Sequence, residues 1–186
     1  MWKEKDQVEI RSYSKYHIDV KITTEDLYVW RLTGFYGEPV RAQRRTTWNL
    51  LRTLARDANL LWCVIGDLNN VMSPNDKKGG DVYPDWFIDG FNAVVQEAGL
   101  IDMGLTGNQF TWERNRGTQD WTEVRLDRAL TTEDWLNKFP MAKPYNLEGA
   151  PSDHSALLLV PLVYNKSVRK HRFKFENAWL TEPMCT

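Results

Sequence analysis

An α+β fold is predicted by three features of this 186-residue chain. Apolar and polar residues alternate near the N-terminus, a wholly apolar run occupies 60–65, and amphipathic helical patterns lie before and after that run. The alternation covers Val8-Glu9-Ile10-Arg11 and His17 to Ile22, so the chain opens as a hairpin with its polar turn at Ser12 to Lys15. Leu27 to Phe35, rich in aromatic and β-branched residues, forms a third strand that ends at Gly34, Gly37 and Pro39. From Val40 to Ala58, Trp48, Leu51, Leu54, Ala55 and Ala58 recur at helical spacing with arginines on the other face. Leu60 to Ile65 reads as a strand covered on both sides, broken by Gly66-Asp67.

Asn70 to Pro84 carries Pro74, Gly79, Gly80 and several charges, the composition of an exposed loop. A second helix starts at Pro84 or Asp85 and runs through Phe87, Phe91, Val94 and Val95 to Gly99, and Ile101 begins another strand. Gln109 to Trp112 and Trp121 to Leu126 flank Asn115-Arg116-Gly117, a second hairpin. Thr132 to Leu136 reads as a short capped helix that Pro140 ends, and Tyr145 to Leu147 and Ala156 to Val160 are the last strands. Trp48, Trp86 and Trp135 fall on amphipathic patterns and are expected in the core.

With 42% hydrophobic residues, the chain has the size and apolar content of one domain, placed at 1–164, followed by a basic linker or docking tail at 165–186. A net charge of −1 excludes nucleic-acid binding by bulk polyelectrolyte attraction and leaves only local basic surfaces for it. Two exist: Arg41, Arg44, Arg45, Arg52 and Arg56, and then Lys166, Arg169, Lys170, His171, Arg172 and Lys174. Each reads equally as a solvated face or as a DNA-facing one. Cys63 lies inside the apolar run and Cys185 near the C-terminus, which is no disulfide framework and points to an intracellular, reducing compartment. No membrane span or signal-peptide core is visible, so a soluble protein is expected, nuclear if it acts on chromosomal DNA.

Three short motifs carry chemistry: Gly66-Asp67-Leu68-Asn69, Arg125-Leu126-Asp127-Arg128 and Ser152-Asp153-His154. Alone, each is a common turn, cap or surface ion pair. Together they supply what phosphate-ester hydrolysis needs: a carboxylate for Mg²⁺, a group that orients water, and donors for the charge of the transition state. Their order, each after an extended segment and preceded by Tyr36, resembles the endonuclease/exonuclease/phosphatase superfamily. Within it the chain resembles the endonuclease domain of plant LINE-type non-LTR retrotransposons, through Gly34-Phe35-Tyr36-Gly37, Lys78-Gly79-Gly80, Gly107-Asn108-Gln109-Phe110-Thr111-Trp112 and Arg172 to Leu180.

The resemblance implies a four-layer α/β/β/α sandwich, DNase I-like, and a Mg²⁺-dependent DNA endonuclease, with Mn²⁺ as a possible substitute. It implies that Asp67 orients or deprotonates water, that Asn69 and Tyr36 bind the scissile phosphate, and that Asp153 helps hold the metal. His154, oriented by Asp127, would contact a phosphate oxygen or transfer a proton, and Thr111 and Arg125 would contact the nucleic acid. It also implies DNA as partner and, in relatives, a neighbouring reverse-transcriptase region. Met1-Trp2-Lys3 resembles the middle of the family domain, so the N-terminal part, with an asparagine strand and the main metal-ligand glutamate, has no counterpart. Glu4, Glu9 and Glu25 are the nearest acidic residues, in unlike contexts. The expectation is a truncated, catalytically impaired copy in which the metal is weakly bound or absent, with an exposed sheet edge or apolar face. A phosphatase of the same superfamily, favoured by Asp127-Arg128-Ala129-Leu130, and a non-catalytic relic or binding module are the alternatives.

Overall fold

The computed structural model describes residues 7–24, 28–57, 59–147 and 152–161. β1 (Val8–Ser14) and β2 (His17–Thr23) form the expected hairpin, its turn shortened to two residues, and β3 (Val29–Phe35) lies antiparallel beside β2. A 3-10 turn at Arg41–Gln43 leads into α1 (Arg45–Ala55), which returns the chain to β4 (Leu61–Asp67), parallel to β3. That order follows from geometry, since parallel neighbours need a crossover and here a helix supplies it. After a 3-10 turn at Pro74–Asp76 come β5 (Lys77–Lys78), α2 (Asp85–Glu97), β6 (Ile101–Asp102), β7 (Trp112–Arg114) and β8 (Thr122–Val124). The last described elements are β9 (Asp127–Thr131), α3 (Glu133–Lys138), β10 (Lys143–Leu147) and β11 (Ala156–Val160).

A six-stranded sheet has the order β1-β2-β3-β4-β9-β6, with β9 antiparallel to β4. On one of its faces Trp48 and Leu51 of α1 and Phe87, Phe91 and Val94 of α2 pack with Phe35, Trp62 and Val64. Ile22, Trp30 and Cys63 pack with Trp135 and Phe139 in a second cluster, to which Leu159 of β11 contributes. The smaller sheets, β5-β8-β7 and β10-β11, are tied together by a bridge between Trp112 and His154. The mixed sheets and few helices make the fold α+β.

Charged side chains buried in the main sheet stitch its layers together. Arg31 donates through Nε to both oxygens of Asp19 (2.8 and 3.0 Å) and through Nη1 to the carbonyl of Leu54 (2.8 Å), near the end of α1. Thr33 donates to Asp19 (2.7 Å) and accepts from the Trp62 indole (2.7 Å), over whose ring the Arg31 guanidinium lies at 4.5 Å. Arg128, buried in β9, binds Asp102 (2.6 Å) and Asp76 (2.5 Å), and Arg125 binds Asp102 (2.7 Å). The Arg128–Asp76 pair anchors the 70–84 segment to the sheet.

Several expectations need correction. The 70–84 segment is no freely exposed loop: Asn70, Val71 and Tyr83 are buried, and Ser73 and Asp76 form a capping box around the 3-10 turn. Trp86 is 60% exposed and stacks on Phe87 at 3.8 Å, whereas Trp48 and Trp135 are buried. Thr132 makes no cap, because its hydroxyl accepts the Trp62 amide instead (3.2 Å). Asp127 to Thr131 is a separate and wholly buried strand. Of the arginines of 41–56, Arg41, Arg45 and Arg56 are exposed, whereas Arg44 is buried and Arg52 pairs with Glu97 (2.5 Å). Ala58, Glu4, Glu25, the 165–186 tail and its basic patch lie outside the described residues.

Apolar surface is exposed at Ile10, Ile18 (57%), Leu147 and Leu158 (45%). Among the described residues β11 pairs only with β10. Glu9 sits on β1 in a surface pair with Lys21 (2.5 Å).

Replacing Asp19 by Asn leaves Arg31 charged and buried without a counter-ion, so unfolding free energy from urea melts should fall by about 3–5 kcal/mol. A loss below about 1 kcal/mol would show the pair to be dispensable. His17 is buried, with Ser12 and Ser14 hydroxyls at its two ring nitrogens (3.0 and 2.8 Å), and burial holds its pKa below the ordinary value. The unfolded chain therefore takes up a proton more readily, and stability should drop as pH falls through about 6.5. His17→Gln should flatten that part of a Tm-against-pH curve.

Candidate active site

The pairing of β4 with β9 places Asp67 directly opposite Asp127 at the end where both strands meet the connecting loops. Gly66 makes this possible: at φ 144° a Cβ there would stand 2.2 Å from the Phe35 carbonyl. Gly37 is equally constrained, because its Cβ would lie 2.1 Å from the Leu68 carbonyl. The close approach lets the Gly37 amide donate to the Asp67 carbonyl (2.7 Å) and lets Asn69 Nδ2 donate to the Gly37 carbonyl (2.8 Å). Asn69 adopts a left-handed φ of 49° and folds its amide groups back onto the Asp67 carboxylate (2.8 and 2.9 Å).

From the other sheet, the segment before β11 brings His154 to Asp127, with Nδ1 3.0 Å from Oδ2. The Trp112 indole donates to Asp153 (3.0 Å), and the Glu113 amide donates to the Asp153 carbonyl (3.0 Å). Thr111 is 1% exposed, and its hydroxyl accepts the amides of Leu126 (3.0 Å) and Asp127 (2.9 Å). Its side chain thus fixes the strand start that carries Asp127. Arg125 likewise spends its charge on Asp102. Tyr36 is 46% exposed at the head of the strap that continues through Gly37 to Val40.

The structure therefore brings Asp67, Asn69, Asp127 and His154 to one place, with Asp153 attached through Trp112. Thr111 and Arg125 stand behind that group rather than on its open side. A cleft of about 390 Å³ opens beside it, sharing Tyr36 and Gly66 but lined otherwise by Lys15, His17, Ile18 and Gly34 among others. None of Asp67, Asn69, Asp127, Asp153 or His154 lines it, so the convergence of polar groups marks the candidate site better than the hollow does.

Charge at the site is tuned by its neighbours. Burial raises the pKa of Asp67, and the facing Asp127 adds to this, while the Asn69 amide, His154 and Arg44 oppose it. His154 is raised above the ordinary value, first by its hydrogen bond to Asp127. Asp153 is lowered, mainly by the Trp112 indole. A carboxylate on Nδ1 selects the tautomer that leaves Nε2 for a substrate atom.

Among the described residues no three His, Cys, Asp or Glu side chains gather as a metal cage. Asp67 and Asp127 are engaged with Asn69 and His154, so the donors present do not by themselves fit a fully protein-bound cation. Sequence reasoning missed Trp112 as the holder of Asp153 and Gly37 as the seat of Asn69, although both stand in stretches it had singled out.

No protein-family model matches the sequence, and no curated protein matches it. Solved structures do. The endonuclease domain of TRAS1, a telomere-specific non-LTR retrotransposon, superposes with a TM-score of 0.66 at 19% identity, over 88% of this chain and 72% of that one. The Xenopus laevis APE2 catalytic domain gives 0.53 at 17% identity, over 82% and 58%. An endonuclease/exonuclease/phosphatase family protein from Bacteroides thetaiotaomicron gives 0.53 at 13%, over 83% and 65%. This chain spans less than two thirds of the last two. No helix among the described residues is long and apolar enough to cross a membrane. These superpositions, at 13–19% identity, identify the α+β fold as DNase I-like.

Proposed function

We propose that the chain is a phosphodiester hydrolase of the DNA-endonuclease type, dependent on Mg²⁺, with impaired turnover. The observation that carries this reading is the meeting of Asp67, Asn69, Asp127 and His154, drawn from both sheets, at the end of β4 and β9. In this reading Asp67 orients or deprotonates water, Tyr36 donates to the scissile phosphate, and Asn69 does so by turning its Nδ2 hydrogen from Asp67 to the phosphate. His154, held by Asp127, presents Nε2 to a non-bridging oxygen or moves a proton there. Thr111 serves by fixing Asp127 rather than by touching DNA. When bound, the divalent cation supplies Lewis-acid stabilisation of the phosphate, with Asp153 as its protein ligand. Among the described residues the exposed carboxylate of Asp153 is a meagre donor set, which supports weak metal binding.

Similarity to the endonuclease domain of a non-LTR retrotransposon supports DNA as substrate over a phosphomonoester. A nuclear site of action, and a reverse-transcriptase partner region, follow from the same reading as expectations.

Purified protein should nick supercoiled plasmid slowly, only with Mg²⁺ or Mn²⁺. Asp67→Asn and His154→Ala should each reduce nicking by about 10²-fold or more, with melting curves showing a folded protein. Nicking indifferent to both substitutions would remove the site from the reaction. Rapid nicking at low metal would instead contradict the impairment. Asp127→Asn keeps the shape but loses the carboxylate that selects the His154 tautomer, so kcat should fall by about 10²-fold or more while KM changes little.

A further inference from the structure

Three carboxylates, Asp67, Asp127 and Asp153, act on His154, so an anion approaching it needs fixed positive charge close by. Most arginines around it are committed: Arg125 and Arg128 to Asp102 and Asp76, and Arg31 to Asp19. Arg44 is different. It is only 8% exposed, yet among the described residues no carboxylate pairs with it directly: the buried Glu38 of the adjoining strap feels its charge but accepts from the Tyr16 hydroxyl and the Val40 amide instead. Its Nη1 donates to the Tyr83 hydroxyl, its Nη2 lies 3.5 Å from the Pro39 carbonyl, and its Nε has no partner. Burying a guanidinium without a direct carboxylate partner costs several kcal/mol relative to an apolar side chain of its size.

The position of Arg44 says what that charge serves. It is the N-cap residue of α1, directly beneath the Gly37 to Val40 strap. The Thr47 hydroxyl, one turn on, accepts the Glu38 amide of the same strap (3.2 Å), and the Trp48 indole donates to Asn70 (3.2 Å). The strap in turn receives Asn69 Nδ2 at the Gly37 carbonyl and binds the Asp67 carbonyl. The first turn of α1 thus clamps both segments that present Asp67 and Asn69. Asp67 and Arg44 each favour the charged form of the other without touching.

Resting on the phosphodiesterase reading, we infer that Arg44 is a positioning residue for the reaction: an unpaired charge under the strap that holds Asn69 in place and draws a phosphate group into the site. A guanidinium held in low dielectric acts over a longer distance than one in water, so it need not reach the anion.

The test compares wild-type protein with Arg44→Met and Arg44→Lys, titrating inorganic phosphate and following the backbone amide signals of Gly37 and Asn69 by NMR. Arg44→Met should weaken phosphate binding at least about tenfold while leaving Tm unchanged or raised, because an unpaired buried charge has been removed. Arg44→Lys should recover most of the affinity. Phosphate binding unchanged in Arg44→Met, a loss of Tm in step with affinity that Lys fails to rescue, or no phosphate response at Asn69 in the wild type would each overturn the inference. Plasmid nicking measured in parallel separates the two readings: phosphate binding that depends on Arg44 without any nicking would sink the hydrolase assignment and keep the anion site.

Discussion

The antiparallel register of β4 against β9 decides where every polar group of the candidate site can be. It sets Asp67 across from Asp127, two carboxylates at adjoining strand ends, an arrangement that like charges oppose. The rest of the local structure relieves that opposition. Asn69 turns both its amides toward Asp67, His154 comes from the second sheet to Asp127, and Arg44 contributes positive charge from beneath. A one-residue slip of β9 would turn Asp127 to the other face of the sheet and leave His154 without its carboxylate.

That register is held by buried charge as much as by apolar packing. β9 is buried at every position, although it carries Asp127 and Arg128, because Arg128 reaches Asp76 and Asp102 on segments far away in the chain. The same economy appears at the other end of the sheet, where Arg31 joins Asp19, the Trp62 ring and the last carbonyls of α1. Breaking such a pair costs more than making it returns, because the charge left behind stays buried without a counter-ion.

How far sequence reading reaches follows from this. The Gly66-Asp67 strand end is legible because an apolar run stops at a residue pair that cannot continue it, and both helices are legible from their 3.6-residue apolar spacing. β9 is not, since charged residues in a buried strand break the alternation and their partners lie dozens of residues away. The arginines of 41–56 look like one face, yet Arg44 turns inward to Tyr83 and Arg52 outward to Glu97. Asp67, Asn69, Asp127 and His154 stand together as their motifs anticipate, whereas Thr111 and Arg125, chosen as DNA contacts, are turned to internal partners. Sequence shows residue type and order, while the direction of a side chain depends on neighbours that only the folded chain supplies.

The account stands or falls on where a phosphodiester binds. A structure of the full chain with Mn²⁺ and a short DNA duplex carrying one uncleavable phosphate measures that directly. The account predicts this phosphate within about 3 Å of His154 Nε2 and the Asn69 side chain, with the metal against Asp153. DNA lying on another surface, with His154 and Asn69 free of phosphate, would contradict it.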